Sequence, residues 1–431
     1  IRIIEILEPH GKVNLVGKSF GVIKFKIQDR TYDIALPRID RSTTSKNRGH
    51  KDFIIDTDPD LPLETDLSRR DFRCNSIALR LKDGSLIDPL DGVSDIKKRI
   101  IRLTNPHAYP EDPLRVLRAA RFASVLGFTV DKPVYVASKK IDLSGLSMER
   151  VTEELYRILL LSPLPSVGLE ELFKLNVLKQ LFPELYRLTL CIQDSVFHPE
   201  QDNFGHHTVW QHSKISVDQA KKLASEFSLP AEEKLALLLA SLFHDVGKSR
   251  TTHWEFKKER MVITSNGHDI ASAQITEEAF ERLKIFTLNG YNLRKIIPRL
   301  IRCHHRASEL WANRKVLTKK AFNRLAADID GNIELLVLLD AADRAGRSEE
   351  PVKGLDREGI WLLDQFHELN ISKETIKPMI LGRDLLDMGM ESGPDMGKAL
   401  KTLYQLQLDL EFETKEDGIK AARNLLRRGN K

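Results

Sequence analysis

The hydrophobic period changes near residue 106, and that switch limits the chain to a small mixed head followed by helices. Before it, apolar residues alternate in short runs. Val22-Ile23-Lys24-Phe25-Lys26-Ile27 and Thr31-Tyr32-Asp33-Ile34-Ala35-Leu36 read as strands, with Gln28-Asp29-Arg30 as the turn between them. Residues 1–36 are expected to be strand-rich, and the polar, basic residues 39–52 to form a flexible loop. A second hairpin is expected where Ser76–Leu81 and Leu86–Asp88 flank Lys82-Asp83-Gly84-Ser85. Beyond residue 106 helical spacing takes over, first from Glu111 to Phe128, and Pro163 and Pro165 separate one helix from the next. A linker with His198-Pro199-Glu200 leads to a second helical region over about 205–350, and a third spans about 354–431. The fold class is α+β.

Composition narrows the classes. A chain of 431 residues exceeds one ordinary core. With 41% hydrophobic and 30% charged residues it reads as a soluble globular protein. Its longest apolar run, Leu235 to Phe243, is far short of the roughly 20 residues that a membrane span needs. Three scattered cysteines (Cys74, Cys191, Cys303) suit neither a disulfide framework nor a zinc knuckle, so a cytoplasmic location is expected. The net charge of +5 is compatible with a nucleic-acid partner.

Two constellations carry chemistry. In Glu111-Asp112-Pro113-Leu114-Arg115-Val116-Leu117-Arg118-Ala119-Ala120-Arg121-Phe122, Pro113 suits a helix start, and Arg115, Arg118 and Arg121 recur every third residue on one broad face. Guanidinium forks beside a carboxylate can grip phosphate or read a base edge; an ordinary solvated surface helix would look the same. The second is His244-Asp245-Val246-Gly247-Lys248, closing a helix (Lys234 to Phe243) apolar nearly all round, with Gly247 as the expected helix stop. A buried His–Asp pair is costly unless paired or metal-bound. His212 lies upstream, and His268, His304, His305 and Asp343 lie downstream. Imidazole plus carboxylate suits Mn, Ni, Fe, Zn or Mg. His207 competes with His212, and Asp340 with Asp343.

Leu67-Ser68-Arg69-Arg70-Asp71-Phe72-Arg73-Cys74-Asn75-Ser76, Ile87-Asp88-Pro89-Leu90-Asp91-Gly92, the Glu111–Ala123 segment and Ser147-Met148-Glu149-Arg150-Val151-Thr152-Glu153-Glu154-Leu155 resemble, in order, the signatures of class II tRNA nucleotidyltransferases and poly(A) polymerases. The resemblance implies a polymerase-β-like head (1–105), a helical neck (106–193), an HD phosphohydrolase domain (194–350) and a C-terminal helical domain (351–431). It implies that Asp112 and Arg115 read CTP or ATP, and that Arg70, Arg118 and Arg121 contact nucleotide and phosphate. Glu149, Arg150 and Glu153 would brace the neck, and Asp33 would match a supporting carboxylate. In the HD domain, His212, His244, Asp245 and Asp343 match the metal ligands, while His268, His304 and His305 match positions for a second metal or substrate.

The function implied is nucleotide addition to a tRNA 3′ end with Mg, joined to hydrolysis of RNA-end phosphates. CCA, CC-only, A-only and poly(A) addition share these motifs. The family's two metal-binding aspartates, one residue apart after a Gly-Gly…Arg-Asp segment, have no counterpart here. Asp56, Asp58 and Asp60 alternate similarly, but Pro59 and Pro62 are expected to hold them in a loop. Residue 1 is Ile, so a trimmed chain, inactive as a transferase, is expected. A phosphohydrolase on a degenerate head and a non-catalytic RNA-binding protein are the alternatives.

Overall fold

The computed structural model describes residues 2–16, 22–42, 53–257, 259–348, 350, 353–371 and 376–429. The chain divides into two compact units, residues 1–181 and 182–431.

The first unit opens with α1 (Arg2–Leu7), followed by β1 (Lys12–Val16), β2 (Val22–Ile27) and β3 (Arg30–Ala35), an antiparallel sheet in the order β1-β2-β3. The expected hairpin is present: Ile27 pairs with Arg30 across a two-residue turn in which Gln28 takes φ 50°. Residues 2–7 are helical where strand was expected. β4 (Arg38–Ser42) pairs with β5 (Phe53–Thr57), so residues 39–42 are strand and not loop, because each finds a backbone partner across the pair. Asp56 likewise lies in β5 opposite Ile39, while Asp58 and Asp60 follow in an exposed turn. The rest of the expected loop, and Gly17–Gly21, lie outside the described residues.

Then come α2 (Leu63–Ser68), the short hairpin β6 (Ala78–Leu79) and β7 (Leu86–Ile87), α3 (Gly92–Lys98) and β8 (Ile100–Ile101). A 3-10 turn over Tyr109–Glu111 leads into α4 (Leu114–Leu126), with Pro113 at its N-cap and Gly127 at φ 65° closing it. β9 (Thr129–Val130) pairs in parallel with β8. Helices α5 (Lys132–Ser138), α6 (Met148–Leu161), α7 (Pro165–Lys174) and α8 (Val177–Leu181) complete the unit. Helix α4 packs on α6 and α7. Its Ala119, Ala120 and Ala123 are fully buried, and small side chains there let the axes approach.

The second unit contains α9 (Pro183–Leu188), α10 (Val209–Glu226), α11 (Ala231–Phe243), α12 (Lys248–Thr251), the antiparallel hairpin β10 (His253–Lys257) and β11 (Arg260–Thr264), then α13 (His268–Leu283), α14 (Leu293–Arg302), α15 (Arg306–Asn313), α16 (Lys319–Asp328), α17 (Ile333–Ala345) and α18 (Arg357–Glu368). Helix α11 is the centre: every residue from Leu235 to Phe243 is buried, against α10, α14 and α17. A terminal cluster of α19 (Gly382–Leu386), α20 (Pro394–Leu408) and α21 (Lys415–Gly429) packs around Ile380, Leu385, Met396, Leu403 and Phe412. Among the described residues, no helix is long and apolar enough to cross a membrane.

Gly247 is not a helix stop. It has ordinary right-handed angles at the N-cap of α12. It is glycine because a Cβ there would lie 2.3 Å from the His268 carbonyl oxygen and 2.4 Å from the Ser272 nitrogen. Gly247→Ala is therefore expected to push α12 and α13 apart and cost about 1–3 kcal/mol, read as a lower urea midpoint; an unchanged midpoint would refute this packing constraint.

Candidate functional site

In the first unit, carboxylates hold the arginines of α4. The Arg118 Nε donates to Asp71 Oδ2 at 2.5 Å, and Asp71 also accepts from the Asn75 side-chain amide at 2.7 Å. The Arg121 Nε donates to Glu154 of α6 at 2.6 Å, and its guanidinium stacks 4.4 Å from the Phe122 ring centroid. Arg150 of α6 reaches Asp112 at 3.3 Å. Arg115 does not share an open face with the other two. It is buried, and its guanidinium donates to the backbone oxygens of Ala108 (2.8 Å) and Arg69 (2.7 Å). Arg70 is half-exposed and donates to the Asn75 carbonyl at 3.2 Å.

Asp112, Arg115, Arg118, Arg121 and Arg150 thus gather around the start of α4 with the Arg69–Asp71 segment. Glu149 is exposed, and Glu153 pairs on the surface with Arg157. Asp33 stands exposed on β3, opposite Lys24, and no contact of the α4 group reaches it. The residues that the sequence reading passed over are Asp71 and Glu154. Both lie inside quoted motifs, but only burial separates them from their exposed neighbours.

In the second unit, five separate segments converge, His268 coming from the start of α13. His212 comes from the first turns of α10, His244 and Asp245 from the end of α11, His304 and His305 from the end of α14, and Asp343 from the last turn of α17. Asp343 Oδ1 lies 2.8 Å from His212 Nε2 and 3.4 Å from His244 Nε2. Asp245 stands between two histidine groups: Oδ2 is 3.3 Å from His244 Nε2, and Oδ1 is 3.3 Å from His268 Nε2. On the far side His305 Nε2 meets His268 Nε2 at 3.1 Å, and His304 completes the group.

The rings are held in one orientation. Nδ1 of His244, His268 and His304 faces the carbonyl three residues before it, at 2.8, 2.8 and 2.5 Å. An Nδ1–H donor there turns each Nε2 toward the centre. Nε2 of His244 and of His304 is buried without a hydrogen bond. Orphaned imidazole nitrogens facing buried carboxylates are the donor set of a divalent cation. His212, His244, Asp245 and Asp343 could hold one ion; His268, His304 and His305 could contribute to a second.

His207 and Asp340 stand outside. His207 turns to Gln201 and the Glu200 carbonyl, and Asp340 binds Arg344 one turn on. Burial, with Asp343 nearby, pushes the Asp340 carboxyl up to about 7 despite Arg344. In the cluster, burial opposes charge on His244, but Asp245 and Asp343 outweigh it and push the imidazole up to about 10. Burial, with His305 and His244 beside it, drives His304 far below the usual histidine range against the pull of Asp343 and Asp245.

A residue missed entirely is Glu200. It is buried between His198 Nδ1 and His212 Nδ1, 3.1 Å from each, so it orients His212 with Nε2 toward Asp343. Lys248 Nζ lies 2.7 Å from Asp245 and 3.2 Å from Gln193 Oε1. An open cavity of about 450 Å³ adjoins the cluster, lined by His198, Lys248, His268, Arg302 and His305 among others.

Three segments of the chain match known families. Residues 3–102 match the family described as Poly A polymerase head domain, residues 127–188 the one described as Probable RNA and SrmB- binding site of polymerase A, and residues 209–345 the HD domain. The chain is thus a polymerase-head protein carrying an HD domain, and both domain types generally use divalent metals. It is 32% identical over 402 residues to a multifunctional CCA protein of Xanthomonas campestris pv. campestris, covering 89% of this chain and 86% of that one. A Pasteurella multocida protein of the same name is 32% identical over 361 residues (81% and 79% covered), and one from Stenotrophomonas maltophilia 39% over 253 (57% of each). The chain belongs to the multifunctional CCA protein family, a nucleotidyltransferase family. Its fold is that of the Bacillus stearothermophilus CCA-adding enzyme solved with CTP: TM-score 0.55 at 20% identity, over 99% of this chain and 87% of that one.

Two outcomes are expected from titrating Mn²⁺ into the chain by calorimetry. Glu200→Gln should weaken binding about 10–100-fold, as loss of an orienting partner does; wild-type affinity would remove Glu200 from the account. Because His244 is held protonated up to about pH 10, binding must displace its proton, so apparent affinity should rise with pH from 6 to 9. A flat profile would contradict that assignment.

Proposed function

We propose that this chain serves nucleotide addition to tRNA 3′ ends from CTP and ATP, and that its HD unit is a divalent-metal phosphohydrolase acting on RNA-end phosphates. Membership of a family named for CCA, and a shared fold with a CCA-adding enzyme solved with CTP, support the first half. So does the α4 geometry. Asp112, about one-third exposed, offers acceptors for an exocyclic amine, with the Arg150 donor beside it. Arg115 uses part of its fork on two carbonyls and keeps further N–H groups for a base edge. Arg118 and Arg121 add positive charge for the triphosphate, held in place by Asp71 and Glu154. Mg²⁺ would neutralise the triphosphate, and Asp33 is the proposed supporting carboxylate.

The observation that carries the hydrolytic half is the orphaned, buried Nε2 of His244 facing Asp245 and Asp343. A divalent ion (Mn, Ni, Fe, Zn or Mg) held by His212, His244, Asp245 and Asp343 would supply Lewis-acid stabilisation of phosphoryl charge. The chain's own contribution is orientation and charge. Lys248, on the cavity wall, presents an ammonium to a phosphate while holding Asp245. Arg302 is exposed there, with no carboxylate partner among the described residues.

The test has two readouts on the 431-residue chain. Phosphate release from nucleoside 3′-monophosphates with Mn²⁺ should fall more than about 100-fold in His244→Ala and Asp343→Asn, with native circular dichroism retained. CTP and ATP binding should weaken about tenfold in Asp112→Ala. Unchanged release sinks the hydrolase reading, and unchanged nucleotide binding sinks the role of α4.

A further inference from the structure

The β10–β11 hairpin presents an apolar face that the rest of the protein leaves bare. Trp254 pairs with Ile263 and Phe256 with Met261. Alternation along the strands puts all four on one side. Trp254 is 59% exposed, Phe256 68% and Met261 53%. The opposite side is polar, with Lys257 paired to Glu255 at 2.7 Å. A two-stranded ribbon has little stability of its own, so large aromatics held open on it point to a contact surface.

The position of this face identifies its occupant. Ile263, on the same side as Trp254, also lines the cavity beside the His–Asp cluster, as does Phe197, itself 60% exposed. The apolar track runs from Phe256 and Met261, past Trp254 and Ile263, to a cavity whose wall carries Lys248, His268 and Arg302. Aromatic faces leading to cations match a polymer of bases and phosphates. Two of the three carboxylates at that rim are offset, Glu309 at 3.1 Å from Arg306 and Asp194 at 3.9 Å from Arg260, and the third, Asp269, stands among the cations Lys248, Arg302 and Arg306 that line the same cavity. Trp254 and Phe256 stand two residues apart, about 7 Å along the strand, a span suited to two splayed bases and too long for one.

We propose that the β10–β11 face is a base-stacking platform for a single-stranded RNA end, with its terminal phosphate in the cavity at Lys248 and Arg302. The proposal rests on the phosphohydrolase reading and deepens it: the preferred substrate is the end of a strand rather than a free nucleotide. Trp254 and Phe256 then set specificity without touching the reacting phosphate.

The test uses the full chain and two probes, an RNA hexamer ending in a 3′-phosphate and free adenosine 3′-monophosphate. Binding is followed without added metal by tryptophan fluorescence and hexamer anisotropy. Trp254→Ala and Phe256→Ala should each weaken the hexamer about tenfold, as expected for a lost stacked base, and leave the mononucleotide unchanged. Arg302→Ala should weaken both. Equal loss for both probes in the aromatic variants, or none for the hexamer, overturns the platform. So does self-association of the wild type that Trp254→Ala abolishes, because the face would then bind a second copy. If the hexamer binds through Trp254 but Mn²⁺ elicits no phosphate release, the platform stands and the hydrolytic reading falls.

Discussion

The second unit is organised around charge that has been taken out of water. His212, His244, Asp245 and Asp343 are all buried, and each lies within 4 Å of at least one group of opposite sign. Isolated, any of them would be costly in a protein interior. Together they hold one another, and removing a single partner from such a set typically costs about 3–5 kcal/mol. The surrounding helices follow from that requirement. Helix α11 has to be apolar all round because it is enclosed while delivering two ionisable residues from its end. Gly346 at the α17 terminus leaves room for the cluster, since a Cβ would lie 2.0 Å from Ser216 Oγ and 3.0 Å from the His212 ring and would force Ser216 to shift.

The first unit uses the same device with the signs exchanged. Its clustered groups are mostly cations, and buried carboxylates fix them: Asp71 under Arg118 and Glu154 under Arg121. A motif such as Arg69-Arg70-Asp71 therefore mixes two kinds of residue, exposed cations such as Arg70 and buried carboxylates such as Asp71 that hold a neighbouring guanidinium.

This explains what the sequence showed and what it hid. The β2–β3 hairpin, α4 and α11 were legible because their periodicity and turn residues agree with their environment. His212, His244, Asp245 and Asp343 were legible because ionisable residues on apolar helices are rare enough to stand out. Glu200 was not, since it lies in an irregular segment beside Pro199, where no period signals burial. Gly247 was misread as a helix stop because a glycine required by a neighbouring backbone looks the same in sequence. The single face of Arg115, Arg118 and Arg121 failed because a three-residue spacing drifts around a 3.6-residue helix, carrying Arg115 inward. Residues 39–42 pair with a strand more than ten positions away, which local composition does not report.

The central claim is that the buried cluster is a cation site. The most direct measurement is an anomalous difference map from crystals of the full chain grown with Mn²⁺. The account predicts a peak bounded by Nε2 of His212 and His244 and the carboxylates of Asp245 and Asp343. A map with no peak there while Mn²⁺ is bound elsewhere, with the histidines and aspartates still hydrogen-bonded only to one another, would contradict it.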